Sequence, residues 1–268
     1  MSGLIDTNGL NLGTGLSWLT GGIGQAGLVV TTFNPATLSP YLWLDASDSA
    51  TLWKDTAGTI PAAIGDTVAL WSDKSTNGRS ASQATVSKNP LRSSTGLTFD
   101  GVDDALNTGN VTFADKGVTV YAVASLTSAG SFPEIMAVGA AVQAVEIRGV
   151  STSGKPSFVN GATNNGAGVT GITTPAGTAT SMVGAGLQLL SATVSTSDVW
   201  TIWQSKVQAD SRSAAITPTA TPAPIYIGNR NNTLYWTGNI AELLVFNTEQ
   251  STATRQAVEN YLSAKWGI

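Results

Sequence analysis

The sequence predicts an all-β fold, an antiparallel two-sheet jelly-roll sandwich with an extended N-terminal arm and one C-terminal helix. Short runs rich in β-branched and aromatic residues recur along the chain, and Gly, Asn and Ser separate them. Only 11% of the residues are charged, whereas 42% are hydrophobic, which suits a packed domain whose surface carries hydroxyls and amides. The last segment has the spacing of an amphipathic helix.

The first 37 residues are assigned to the arm. Glycine interrupts this segment repeatedly, and Asp6 is its only charged residue. Its large apolar side chains would be a liability in a free tail, so we predict that the arm orders against a neighbouring subunit. The alternative is a disordered or self-packed N-terminus. The apolar residues assigned to assembly are Leu10, Leu12, Leu16, Trp18, Leu19 and Ile23.

Residues 38–268 are assigned to the jelly-roll domain. The clearest strand is "GVTVYAVASL", in which successive side chains alternate between two faces. The first face carries Val118, Val120, Ala122 and Ala124, and the second carries Thr119, Tyr121 and Ser125. Further strands are predicted in "YLWLD", "TVALW", "GLTF", "VWTIWQSKVQAD" and on both sides of the loop in "IYIGNRNNTLYWTGNIAELLVFN". Residues 151–180 are predicted to form a long loop or weakly specified strands, and residues 214–224 an extended connection.

The chain ends in a helix predicted over residues 251–266. Ser251 is a suitable N-cap and Gly267 a suitable C-terminal stop. The residues at helical spacing are Ala257, Val258, Tyr261, Leu262 and Lys265. A single amphipathic helix after a β-domain is expected to pack on the sandwich.

Composition excludes several functions. The chain has no cysteine and no histidine, which removes disulfides, cysteine nucleophiles, histidine-ligated zinc and Ser-His-Asp catalysis. The net charge is −4 without a basic cluster, so a nucleic-acid partner is not expected. No signal peptide is expected, because the first basic residue is Lys54. Glycines interrupt the apolar stretch at residues 15–33, so no membrane span is expected either.

The stretch "FDGVDD" is an acidic motif that could serve three purposes. Asp100 followed by Gly101 predicts a tight turn. If the chain continues as a strand, Asp103 and Asp104 point to opposite sides, which argues against a catalytic pair. We therefore favour a structural turn, keep calcium binding by Asp103 and Asp104 as an alternative, and expect no other cofactor.

A sugar site needs an aromatic surface beside amides or carboxylates. The hairpin "GNRNNTLYWTGN" offers this combination, and the candidate glycan-binding residues are Asn229, Asn231, Tyr235 and Trp236. The alternative is that the two aromatic residues lie in the core and the asparagines form the turn. The remaining tryptophans are predicted to be core or helix-packing residues.

The motifs "LWLDASD", "VALWSDKSTNGRSASQ", "LTFDGVDDAL", "IAELLVFN" and "RQAVENYLSAKWG" resemble the concanavalin A-like lectin/glucanase superfamily. They are most similar to its laminin-G-like jelly rolls in bacterial surface proteins and tailed-bacteriophage virion proteins. The resemblance covers about residues 40–268 and implies a two-sheet antiparallel jelly roll. It also implies carbohydrate or protein binding, sometimes with calcium, and glycoside hydrolysis only in some branches.

The sequence departs from the hydrolase branch, which carries clustered carboxylates of the type Glu-x-Asp-x-x-Glu on one strand. None of the five glutamates lies near another on one strand. Glu146 and Arg148 would share a strand face and are expected to pair. A glycosidase needs two carboxylates across the scissile bond, so no catalytic residue is assigned.

These observations favour a non-enzymatic bacteriophage virion protein, either a capsid-decorating or a tail-associated subunit. Its expected partners are other virion proteins and copies of itself, bound through the arm, and the resemblance adds host-surface polysaccharide. The first alternative is a bacterial surface lectin-like adhesion module, and the second is a glycoside hydrolase.

Overall fold

Two antiparallel β-sheets and one C-terminal α-helix make up the fold, as the sequence predicts. The computed structural model describes residues 33–114, 116–139, 145–160, 170–172, 178–215 and 222–268. Within it, Ala36–Ile268 form one compact unit. The apolar arm residues between Leu10 and Ile23 lie outside the described residues, so their assembly role stays a prediction.

Seventeen short strands, one α-helix and three 3-10 helices are present in the described ranges. The strands are β1 (Leu42–Asp45), β2 (Leu52–Trp53), β3 (Leu70–Trp71), β4 (Ala81–Ser82), β5 (Leu91–Ser93), β6 (Gly96–Asp100), β7 (Leu106–Asn107), β8 (Val118–Leu126), β9 (Glu134–Val138), β10 (Val145–Gly149), β11 (Pro156–Asn160), β12 (Thr170–Ile172), β13 (Gln188–Val194), β14 (Val199–Gln204), β15 (Val207–Ser213), β16 (Ile225–Ile227) and β17 (Thr237–Phe246). The α-helix is α1 (Thr252–Trp266), and the 3-10 helices span Pro35–Leu38, Ser49–Thr51 and Val86–Lys88.

The strands divide into a helix-side sheet and an opposite sheet. The helix-side sheet has the order β15-β14-β13-β8-β17-β6-β5, and β1 also pairs with β17. The opposite sheet has the order β12-β11-β10-β9-β16-β7-β4-β3-β2. Every strand pair is antiparallel, so the sheets can be built from hairpins and longer connections without helical crossovers.

The core lies between the two sheets and follows the alternation of the strands. In β8, the predicted face with Val118, Val120, Ala122 and Ala124 points into this core, as expected. Tyr121, on the other face of β8, is also buried and forms an edge-to-face contact with Phe246 at a centroid distance of 5.9 Å. The helix-side sheet therefore buries residues on both faces.

The helix α1 packs on the outer face of the helix-side sheet. Ser251 caps it by accepting a hydrogen bond from Thr254 N at 3.2 Å, and Gly267 ends it with a φ of 69°. Both caps are those that the sequence predicts. Ser191 of β13 donates a hydrogen bond to Glu259, which ties the middle of the helix to the sheet.

One prediction of strand layout requires revision, and for one segment the structure decides between two alternatives. The segment "VWTIWQSKVQAD" forms two strands, β14 and β15, because Ser205 and Lys206 have positive φ angles of 49° and 69° and close a two-residue hairpin turn. Within the described residues of 151–180, β11 and β12 pair in the opposite sheet, which agrees with the strand alternative predicted for this region. None of the described helices is both long and apolar enough to span a membrane.

Candidate functional site

The residues predicted to bind glycans separate into buried and accessible pairs. Trp236 is 0% exposed and lies in the core, and Asn229 is 1% exposed, so neither can contact a ligand on the surface. The prediction is wrong for these two. Trp236 continues the inward alternation of β17, on which Ile240 also points into the core, and Asn229 lies in the buried bend after β16. Asn231 is exposed and Tyr235 is half-buried, so for them a binding role stays a prediction.

The acidic motif forms a closed turn at the end of β6. Asp100 Oδ1 accepts hydrogen bonds from the backbone N–H groups of Val102, Asp103 and Asp104 at 2.8, 3.3 and 3.4 Å. Gly101 has a φ of 79°, and a Cβ atom there would lie 1.9 Å from Thr237 Oγ1, so only glycine fits. The predicted tight turn is therefore confirmed.

The three carboxylates of this turn converge. The expectation that Asp103 and Asp104 point to opposite sides is wrong, because residues 101–103 form a bend instead of a strand. Oxygen atoms of Asp100, Asp103 and Asp104 lie within 4.8 Å of one another. Burial, with the neighbouring carboxylates adding to it, raises the pKa of Asp104 to about 7. The turn could supply three hard oxygen ligands of the six to eight that calcium takes, so calcium binding stays a prediction.

A buried ionic cluster consists of Glu134, Glu146, Arg148 and Arg230. Glu146 Oε2 lies 2.9 Å from Arg148 Nη1, and Glu146 Oε1 lies 2.5 Å from Arg230 Nη1. Glu134 Oε1 lies 3.4 Å from Arg148 Nη1. The expected pairing of Glu146 with Arg148 is thus confirmed. Both glutamates are 0% exposed, so neither carboxylate can reach a substrate at the surface.

A second charged cluster, the helix clamp, consists of Trp43, Asp45, Lys74, Glu242, Lys265 and Trp266. Glu242 accepts hydrogen bonds from the indole N–H groups of Trp43 at 2.8 Å and Trp266 at 2.7 Å. Lys265 Nζ lies 2.7 Å from both Asp45 and Glu242. The motifs "LWLD", "WSDK", "AELL" and "AKWG" therefore meet at one place, where they fix the end of α1 to β1 and β17.

The helix clamp also shifts the ionisation of its carboxyl groups. Burial, and then the charge of Asp45, raise the pKa of Glu242. Burial acts to raise the pKa of Asp45 as well, but the hydrogen bonds from Lys265 and Lys74 outweigh it and hold this pKa below its ordinary value. The helix clamp therefore has a structural role, because its charged groups bind one another.

Among the described residues, an accessible groove of about 320 Å³, here named the hydroxyl groove, lies at the start of α1. Its walls come from β13, β14, the turn between them, the segment before α1 and the first turn of α1. The lining residues are Thr193, Ser195, Ser197, Val199, Thr201, Trp203, Glu249, Gln250, Thr252 and Arg255. Side chains of β14 alternate between the two faces of the sheet. Trp200 and Ile202 point into the core, so Thr201 and Trp203 point outward and line the groove.

Neighbouring groups hold the side chains of the hydroxyl groove in place. Arg255 stacks on Trp203, with its guanidinium carbon 4.0 Å from the ring centroid. Its Nη1 lies 2.5 Å from Glu259 Oε1. Thr201 Oγ1 lies 3.0 Å from Ser211 Oγ. These contacts position the indole and the hydroxyls before any ligand binds.

The chemistry of the hydroxyl groove suits a polar, uncharged ligand with many hydroxyl groups. Serine and threonine hydroxyls both donate and accept hydrogen bonds, and a carboxylate and an amide add further partners. The indole of Trp203, which is half-buried, supplies an apolar surface with fixed orientation. Sequence analysis missed this site, although hydroxyls at every second position from Thr193 to Ser197 gave a signal for a polar outer face.

No protein-family model matches the chain, and no curated protein matches its sequence. Solved structures do share its fold. Trypanosoma rangeli sialidase has a TM-score of 0.56 at 12% identity, over 95% of this chain and 36% of the sialidase. A GH54 α-L-arabinofuranosidase has a TM-score of 0.53 at 14% identity, over 74% of this chain and 51% of that one.

These similarities show a shared fold and agree with the concanavalin A-like sandwich that the sequence resembles. The chain spans 36% of the length of the sialidase and 51% of that of the arabinofuranosidase. The sandwich thus accounts for only part of each of these larger proteins.

Proposed function

We propose that this chain is a non-catalytic carbohydrate-binding domain and that the hydroxyl groove holds the sugar. The observation that carries this proposal is the lining of the groove, in which five hydroxyl side chains surround a fixed indole, an amide, a carboxylate and a guanidinium. Such a set can satisfy the hydroxyls of a sugar and cover its apolar face. The fold shared with a sialidase and an arabinofuranosidase supports the proposal, because both names describe proteins that act on carbohydrates.

The carboxylates support a binding role over hydrolysis. Among the described residues that line the hydroxyl groove, only Glu249 carries a carboxylate, whereas hydrolysis by the usual route needs two. Glu146, which shares a strand face with Arg148, is 0% exposed and bound to two arginines. We therefore expect binding without cleavage.

Replacing Trp203 by alanine should weaken glycan binding about tenfold, because the sugar loses its stacking surface and Arg255 loses the ring that positions it. A glycan array with the intact chain identifies ligands, and titration calorimetry then compares the variants. Product analysis by chromatography after incubation should show uncleaved glycan.

Trp53→Ala is the matched control, because Trp53 is also half-buried but lies in the opposite sheet. If the Trp203 variant is too unstable to measure, Thr201→Val removes one groove hydroxyl at nearly constant volume and should also weaken binding. Equal affinities in wild type and both groove variants would place the sugar elsewhere.

The narrower proposal, a bacteriophage virion subunit, depends on the arm. The predicted partner surface is the apolar segment from Leu10 to Ile23, and neither relative described above is named as a virion protein. Deleting residues 1–35 removes this segment and leaves the compact unit that begins at Ala36. We expect an oligomer in the full chain to become a monomer in the truncated one, as measured by light scattering.

The truncation separates the two remaining roles. Circular dichroism and retained glycan binding serve as controls that the truncated sandwich is folded. Monomers in both proteins would count against the virion role and favour the alternative, a lectin-like adhesion module. An oligomer that survives truncation would show that the sandwich itself associates.

A further inference from the structure

We propose that the hydroxyl groove selects neutral sugars over sugars that carry a carboxylate, and that Glu249 sets this selectivity. The inference rests on the proposed carbohydrate-binding function and specifies its ligand class. The evidence for this selectivity is the pairing of charges around the groove.

The cations near the hydroxyl groove are already neutralised. Arg255 is 7% exposed, and its Nη1 lies 2.5 Å from Glu259 Oε1. Arg255 lines the groove, and its partner Glu259 is 1% exposed, so the positive charge of Arg255 is neutralised by a buried carboxylate. At the adjacent turn, Lys116 Nζ lies 3.3 Å from Asp198 Oδ1. Each cation therefore has its own carboxylate, and an acidic ligand would have to compete for it.

Glu249 is the charge that remains. Its side chain is exposed, and its Oε2 accepts a hydrogen bond from the backbone N–H of Thr196 at 3.2 Å, which holds the carboxylate at the groove. All 13 lysine and arginine residues lie in the described part of the chain, and none of them forms an ion pair with Glu249. The groove and its immediate wall thus carry one uncompensated negative charge.

The position of Glu249 near the start of α1 also disfavours acidic ligands. It precedes Ser251, the N-cap of α1, by two residues. A helix N-terminus carries a partial positive charge of about half a unit, which would otherwise favour an anionic ligand. The carboxylate of Glu249 offsets this field. An acidic sugar would meet a like charge, whereas a neutral sugar can donate its hydroxyl hydrogens to the same carboxylate.

The test uses a glycan array of matched pairs, in which each neutral oligosaccharide stands beside its sialylated or uronate form. The intact wild-type chain, Glu249→Gln and Asp66→Asn are compared. We expect the wild type to bind the neutral member of each pair roughly tenfold more tightly than the acidic member. In Glu249→Gln, the ratio of the two affinities should be close to one. The wild-type preference should also narrow as salt is raised.

Asp66→Asn is the charge control, because it also removes one negative charge but lies in a solvent-accessible loop of the opposite sheet. Its ratio should equal that of the wild type. A wild type that prefers acidic sugars, or a ratio that Glu249→Gln leaves unchanged while glycans still bind, would overturn the selectivity. An array on which the wild type binds nothing would overturn the proposed function, and the selectivity with it.

Discussion

Replacing Glu146 by glutamine is expected to lower the free energy of unfolding by about 3 to 5 kcal/mol. Two guanidinium groups share this carboxylate, Arg148 at 2.9 Å and Arg230 at 2.5 Å. All three residues are at most 3% exposed. An amide has no charge, so the substitution leaves two buried cations without their common anion. Urea unfolding at pH 7 measures the change, provided that the slope of the transition stays constant.

Glu134→Gln is the matched control in the same cluster, and we expect it to cost about 1 kcal/mol or less. Burial, and then the charge of Glu146, raise the pKa of Glu134 well above its ordinary value. A glutamate that keeps its proton is close to glutamine in charge and shape. Equal losses in the two variants would show that Glu134 is ionised in the folded protein, which would contradict this assignment.

The pH dependence follows from the same shift. The folded protein keeps a proton on Glu134 that the unfolded chain releases above about pH 4.3. The stability contributed by this proton is fully present below that pH and is lost as pH rises through the folded pKa. Glu134→Gln should therefore lose less stability than the wild type between pH 4 and pH 8, as measured by urea midpoints. An equal decline of stability with pH in the wild type and the variant would contradict the raised pKa of Glu134.

The sequence predicted those features that depend on neighbours along the chain. The helix α1 has its cap and stop at Ser251 and Gly267, because both act on backbone groups within one turn. Glu146 and Arg148 meet because residues two apart on a strand share a face. The faces of β8 follow the same rule.

Features that depend on distant contacts were missed. The hydroxyl groove joins residues near 193, 203 and 249–255, and no local pattern relates these segments. Trp203 stacks with Arg255 of α1, so its predicted helix-packing role is confirmed, but its place in the wall of the hydroxyl groove depends on segments far apart in the sequence. The hairpin at Ser205 and Lys206 lacks the Asn-Gly signal of its turn type, so one strand was predicted where two are present.

Replacing Glu242 by alanine should also lower the free energy of unfolding by about 3 to 5 kcal/mol. Glu242 is 1% exposed, and it accepts hydrogen bonds from Trp43, Trp266 and Lys265. Without it, the buried indole N–H of Trp43 and the half-buried one of Trp266 lose their acceptor, and Lys265 loses one of its two carboxylate partners. Gln256→Ala, on the exposed side of the same helix, should change stability by no more than about 0.5 kcal/mol.

The Glu242 variant should also weaken glycan binding, although Glu242 does not line the hydroxyl groove. The helix supplies Thr252 and Arg255 to the groove, and Lys265 in the helix clamp lies about 15 Å further along its axis. Loosening that end gives α1 more freedom to move Arg255 away from Trp203. Calorimetry at a temperature where the variant is folded tests this. A loss of stability with unchanged affinity would show that the contact between Glu259 and Ser191 holds the groove by itself.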